Sequence, residues 1–350
     1  MVLHVMTATA TLDPAVSGFR ANSRLPGMLL AALLAVLANA ATPLLAAAGV
    51  VASPMVVALL LGLVLAQFVA MPARVQPGLE WACRPLLRFA IILLGLRIGL
   101  PQVAAVGAGG LLAVSALVTV TLGGGYWISR RLGLSRDQSW LLASGHAICG
   151  AAAVAAADSV LKAKGRDVTQ ALTMVTLFGT VAMLALPVLG SWLQLSADDY
   201  GFWVGGAIHE VAQAVAAGFA LGPECGESAS VIKLVRVAHL LPLGLCLTAV
   251  VARRNRAGSG GNGRGRIVVP WFVLGFAAVA AIDAAGFVPA SIAQPLRTLC
   301  AFAMTVAMAA LGLKSSLRDV AKAGWRPLAA AFLTTSLITT TAFVLAILTP

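Results

Sequence analysis

Apolar residues run along this chain in eleven long stretches, each closed by charges or by Pro and Gly: about 27–49, 55–71, 85–101, 107–129, 139–157, 168–193, 203–221, 231–252, 267–288, 295–313 and 327–349. A helix needs roughly 17–25 mostly apolar residues to cross a bilayer. The pattern therefore predicts an all-α, polytopic membrane protein with about 9–11 transmembrane segments. Gly and Pro recur inside the stretches, which membrane helices tolerate when neighbours satisfy the freed backbone groups.

The polar positions between the stretches set the topology. Arg130, Arg131 and Arg136 precede the stretch 139–157, and Lys162, Lys164 and Arg166 follow it. Short basic loops stay in the cytoplasm, so a straight crossing there would strand one of them outside. The acidic pairs Asp198/Asp199 and Glu224/Glu227 flank 203–221 in the same way. If both segments dip in and return, the first from the cytoplasm and the second from outside, every strongly basic loop falls inside. The expectation is nine crossings plus two re-entrant or discontinuous helices, with a cytoplasmic N-terminus and a periplasmic C-terminus.

Composition agrees with this class. The chain is 60% hydrophobic and 10% charged, with a mean hydropathy of +0.96, which excludes an ordinary soluble domain. The net charge of +12 resides in the short loops, so it reports topology and not a nucleic-acid partner. Cys83, Cys149, Cys225, Cys246 and Cys300 form no C-x-x-C pair, so neither a disulfide framework nor a zinc ribbon is expected. Residues 1–26 read as a short cytoplasmic tail with no cleaved signal. The Gly/Ser/Arg stretch 253–266 reads as a flexible basic loop, a topology determinant that is also suited to contact with anionic lipid.

An internal repeat is visible. Leu94-Gly95-Leu96-Arg97, followed by Leu100, Val103, Ala104 and Gly107, recurs without a gap as Leu311-Gly312-Leu313-Lys314, followed by Leu317, Val320, Ala321 and Gly324, at an offset of 217. In the expected topology the copies run in opposite senses, giving inverted repeats of the kind secondary transporters use. The resulting division is a tail (1–26), a first membrane repeat (27–137), a central re-entrant pair with one crossing between (138–222) and a second membrane repeat (223–350). Within the central part, Ala147-Ile148 falls on Ala207-Ile208 at an offset of 60.

Charged groups inside lipid are costly and mark function. Here they are His146, His209, Glu210, Lys233, Arg236 and His239, with Arg97, Asp283 and Lys314 nearer segment ends. Helix N-termini offer free N–H groups and partial positive charge to an anion. The expected heads are Ser144 to Cys149 and Gly205 to His209, with Lys233 and Arg236 adding counter-charge. His209, Gln213 and Gly206 share a helix face, and Thr180 belongs to a threonine stripe (Thr169, Thr173, Thr176, Thr180) on the crossing between the two dips. The expected substrate-binding set is therefore His146, Cys149, Gly150, Thr180, Gly206, His209, Gln213, Lys233 and Arg236. Glu210, with His209, is the expected proton-coupling group. Gln213 stands where a zinc-protease helix needs its second His, so no metal or other cofactor is expected.

The strings Gly145-His-Ala-Ile-Cys-Gly-Ala, Leu177-Phe-Gly-Thr180, Ile208-His-Glu-Val-Ala-Gln213, Lys233-Leu-Val-Arg236-Val and Ala310-Leu-Gly-Leu313 resemble the bacterial inner-membrane family assigned as sulfate exporters. The resemblance spans about residues 27–349 and implies a multi-pass transporter of the broad antiporter and anion-transporter type. His146 stands where that family usually carries a small hydroxyl residue. The expected function is secondary transport of a small inorganic or organic anion, sulfate or a related oxyanion or carboxylate, by alternating access. Protons or another ion would couple it, in the bacterial inner membrane, with a homo-oligomer left open. The chain is expected not to be an enzyme. A passive anion channel and, further off, a membrane-embedded enzyme are the alternatives. No nucleotide-binding loop is present to drive transport directly.

Overall fold

The computed structural model describes residues 24–47, 53–98, 104, 106–256, 271–315 and 323–348, and no strand occurs among them. Residues 1–23 of the tail, 257–266 of the basic loop, and Leu317, Val320 and Ala321 of the second repeat motif lie outside the described residues.

The helices follow the apolar stretches. They are α1 (Leu25–Ala47), α2 (Pro54–Phe68), α3 (Gln76–Trp81), α4 (Leu87–Leu93), α5 (Gly107–Arg131), α6 (Arg136–Ala147), α7 (Ala151–Leu161) and α8 (Gly165–Trp192). There follow α9 (Ala197–Ala207), α10 (Val211–Ala220), α11 (Pro223–Ala238), α12 (Leu240–Arg256), α13 (Trp271–Ala284), α14 (Ala290–Lys314) and α15 (Trp325–Leu348). Six helices of the described residues are long and apolar enough to cross a membrane: α1, α5, α8, α11 continued by α12, α14 and α15. Between α3 and α4 the chain widens into a π-turn, Ala82–Leu86, at Pro85, whose missing N–H cannot continue the ordinary ladder.

Two close crossings organise one side of the molecule. A Cβ added at Gly312 on α14 would meet the Leu59 carbonyl of α2 and sit 2.8 Å from Leu63 N. One added at Gly95, just after α4, would sit 2.6 Å from the Phe276 carbonyl of α13 and 2.9 Å from Ala280 N. Gly95 and Gly312, Leu59 and Phe276, and Leu63 and Ala280 are all separated by the 217-residue offset of the sequence motif. Only glycine lets these backbones approach so closely.

The stretches 139–157 and 203–221 are both broken, and both turn back. Ser135, the cap of α6, donates from Oγ to Asp167 Oδ2 at 3.0 Å, and Gln138 Nε2 donates to Gln170 Oε1 at 2.7 Å. Both ends of the α6–α7 segment therefore lie beside the start of α8. In the second segment Tyr200 Oη, near the start of α9, donates to the Ala217 carbonyl near the end of α10 at 2.8 Å. A straight helix would hold those residues about 25 Å apart at 1.5 Å per residue. Tyr200 and Leu221 both pack on Gly190, at the far end of α8. The two helical hairpins thus enter from opposite ends of α8, as the loop charges require.

The hairpins meet tip to tip at mid-length of α8. Gln213 Nε2 donates to Thr180 Oγ1 at 2.9 Å, and Gln213 and His209 both pack against Gly179. Small residues make this packing possible. Ala143, Ala147, Ala153 and Ala157 of the first hairpin and Ala212, Ala214, Ala216 and Ala217 of the second are almost completely buried.

Candidate functional site

Each hairpin tip contains one helix end of each polarity. The first tip ends α6 at Ala147 and starts α7 at Ala151, with Gly150 between at φ 71, a conformation that favours glycine. The second ends α9 at Ala207 and starts α10 at Val211 through extended residues Ile208 and Glu210. This corrects the expected helix heads: Ser144 to Ala147 and Gly205 to Ala207 are helix C-terminal ends, and the N-termini that can face an anion begin at Ala151 and Val211. The break falls after the small-residue head in both segments because Gly150 and the extended Ile208–Glu210 stretch interrupt the ladder there.

The C-terminal ends are held by two side chains of α11. Arg236 donates from Nε to the Ala147 carbonyl at 3.2 Å and from Nη2 to the His146 carbonyl at 2.7 Å. Its Nη1 reaches the carbonyls of Gly205, Gly206 and Ile208 at 3.1, 2.7 and 2.9 Å. Lys233 Nζ donates to the Ile148 carbonyl at 3.0 Å and to that of Ile208. Both residues are 0% exposed, and among the described residues no carboxylate lies within ion-pair distance of either. The unpaired carbonyls at a helix C-terminus carry partial negative charge, so a buried cation is stabilised there.

The N-terminal ends meet a different partner. Glu210 Oε1 accepts a hydrogen bond from Ala151 N at 2.7 Å, so the carboxylate of the second hairpin caps α7 of the first. On this side lies a cavity of about 290 Å³ whose wall includes Arg84, Thr176, Thr180, Ala151, Glu210 and Lys314. Lys314 pairs with Glu80 at 3.2 Å. A second hollow of about 390 Å³ shares Lys314 and Ser315 with the first and has Gln67 and Gln76 in its wall.

Of the expected binding residues, Thr180 lines the cavity, as does the expected proton-coupling residue Glu210, while His146, Cys149, Gly206, His209, Gln213, Lys233 and Arg236 are packed around the tips outside its wall. Gly150 lies directly beneath the Glu210 carboxylate. His146 and His209 stack edge to face with centroids 4.5 Å apart. His146 donates from Nδ1 to the Leu142 carbonyl at 2.8 Å, and His209 Nε2 is 3.0 Å from Thr335 Oγ1 of α15. His239 bridges α11 to Ser115 of α5 at 3.0 Å. Arg97 pairs with Glu227, and Asp283 with Arg297. Of the two cavity cations, Lys314 is already among the charged groups placed nearer segment ends, whereas Arg84 escapes the sequence reading. The signal available for Lys314 is its place at the end of the Leu-Gly-Leu-Lys repeat motif.

Comparison with known proteins gives a consistent picture. Residues 26–331 match the family described as Conserved hypothetical protein 698. A UPF0324 membrane protein of Pseudomonas putida is 37% identical over 330 residues, covering 92% of this chain and 93% of its own length. The UPF0324 inner membrane protein YeiH of Escherichia coli is 36% identical, over 87% of this chain and 88% of its own. The UPF0324 membrane protein TauZ of Paracoccus denitrificans is 38% identical, over 78% of this chain and 81% of its own.

Proposed function

This chain belongs to the Conserved hypothetical protein 698 family of multi-pass membrane proteins, and on that premise we propose that it is a secondary transporter of a small anion. The observation that carries the reading is the charge balance where the hairpins meet. The four half-helix ends, about half a charge each, cancel in pairs. The side chains then decide: Lys233 and Arg236 hold the carbonyl ends on one side, while on the cavity side the N-terminal ends of α7 and α10 stand with Arg84 and Lys314 around the single carboxylate of Glu210. Helix N-termini beside cations in a low-dielectric interior favour a bound anion.

The 290 Å³ cavity supplies the place. It offers Arg84, Lys314, threonine hydroxyls and the N-terminal ends of α7 and α10, a donor set suited to sulfate, another sulfur oxyanion or a small carboxylate. The two glycine crossings related by the 217-residue offset support an inverted-repeat frame, in which rocking about the hairpin tips would expose the site alternately to each side. Proton uptake by Glu210, with His209 beside it, is the coupling this reading favours.

Counterflow of labelled sulfate into proteoliposomes tests it. Saturable exchange stimulated by unlabelled anion on the other side is the expected result. Flux that neither saturates nor exchanges would point to a passive channel and overturn the carrier reading.

A further inference from the structure

Glu210 caps a helix that is not its own. It stands at the start of α10 with extended backbone (φ −84, ψ 144), yet its side chain reaches Ala151 N at the head of α7, 2.7 Å away. The carboxylate lies over Gly150, where an added Cβ would collide with its Oε1 and carboxyl carbon. Gly150, at φ 71, therefore leaves the room that the protein's own carboxylate occupies. That room opens to the cavity that Arg84 and Lys314 share. Among the described residues no cation lies within ion-pair distance of Glu210, and Lys233 and Arg84 attract it only from further off. Its hydrogen-bond donor is one backbone N–H, and Arg84 and the Glu80-paired Lys314 stand in the same cavity wall.

We propose that Glu210 is a tethered stand-in for the transported anion, seated on α7 while the cavity is empty and displaced when an oxyanion with a free terminal oxygen arrives. The inference rests on the anion-transport reading above. Two anionic oxygens cannot share the Ala151 N–H, because like charges at that separation repel strongly in a low dielectric. Displacement also has a mechanical consequence. Glu210 and Ala151 belong to hairpins that enter from opposite ends, so unseating the carboxylate removes the polar link between the tips on the cavity side. Arg236 and Lys233 keep the link on the other side. Site occupancy and hairpin freedom are thereby joined through one side chain.

The test is equilibrium binding of labelled sulfate, methanesulfonate and acetate to purified protein, comparing wild type with Glu210→Asp and Glu210→Gln. Asp keeps the charge but is one methylene too short to reach Ala151 N. Removing a tethered competitor held by a charge-assisted hydrogen bond raises affinity roughly tenfold or more in both variants. Weaker or unchanged binding by Glu210→Asp, with tighter binding only by Glu210→Gln, reduces Glu210 to a nearby negative charge and overturns the inference, leaving the transport reading intact. Absence of binding of all three anions by wild type and variants overturns both. Should the variants not fold, the infrared difference spectrum of wild type on adding sulfate decides. A shifted carboxylate band supports displacement, and an unchanged carboxylate region overturns it.

Discussion

Arg236 donates from Nη2 to the carbonyl of His146 at 2.7 Å, while its Nη1 holds the carbonyl of Gly206 at 2.7 Å. One side chain on α11 thus ties together helix ends from two hairpins that enter from opposite directions. Replacing it by an apolar residue of similar length, Arg236→Met, strands those carbonyls in a dry interior. The expected loss is about 3 kcal/mol or more of stability, since hydrogen bonds to charged groups are each worth about 1.5–3 kcal/mol. Arg236→Lys should fall between, because an ammonium cannot form the planar fork. Thermal unfolding in detergent measures both.

Tyr200→Phe tests the hairpin fold itself. Loss of the 2.8 Å bond to the Ala217 carbonyl leaves that acceptor unpaired inside the second hairpin. A destabilisation of about 1 kcal/mol is expected. A variant as stable as wild type in chemical denaturation would contradict the tight antiparallel packing of α9 on α10.

Thr180 lines the cavity and accepts from Gln213 Nε2 at 2.9 Å. Thr180→Val keeps the shape but removes the acceptor that positions Gln213 and the hydroxyl that donates to the Thr176 carbonyl at 2.8 Å. Uptake kinetics should show KM for the transported anion raised roughly five- to tenfold, together with a stability loss of about 1 kcal/mol from the stranded Gln213 amide. An unaltered KM would take the threonine stripe out of the site.

Cys83 is the cysteine in the cavity wall, whereas Cys149 and Cys300 are buried and Cys246 is exposed. In a background with Cys225 and Cys246 both replaced by Ser, a small thiol reagent at alkaline pH should modify Cys83, which lines the cavity, and leave the fully buried Cys149 untouched. Added sulfate should slow the labelling. Labelling of Cys83 at the same rate with and without saturating sulfate would place the anion elsewhere.

The paired glycine crossings predict matched penalties. Gly95→Val and Gly312→Val each push a side chain into the backbone of the partner helix. Each should cost about 3 kcal/mol or more, the upper range of overpacking, seen as loss of folded protein after size-exclusion chromatography. A tolerant Gly95 beside an intolerant Gly312 would break the equivalence.

The linear pattern already contained the helices. Apolar length is a local property, so all eleven stretches find helical counterparts, and the loop charges around 139–157 and 203–221 were enough to require that both segments turn back. The offset of 217 likewise needed only the order of residues. Glu210, picked out as a buried acid, does face the cavity beside Thr180.

What the order of residues could not decide was which end of each half-helix faces which partner. A run such as Gly145-His-Ala-Ile-Cys-Gly has no intrinsic polarity at the level of composition. Whether it begins or ends a helix depends on where the backbone breaks, and Gly150, not Gly145, takes the positive φ. Lys233 and Arg236 look like substrate cations in the sequence because nothing local offers them partners. Only the fold brings the carbonyls of residues 146, 147, 148, 205, 206 and 208 within their reach. Arg84 and Lys314, distant in sequence from the hairpins and from each other, come to share one cavity with Glu210 for the same reason. Periodicity and charge act over a few turns of chain and specify the helices, whereas an electrostatic site is a sum over neighbours that tertiary packing alone brings together.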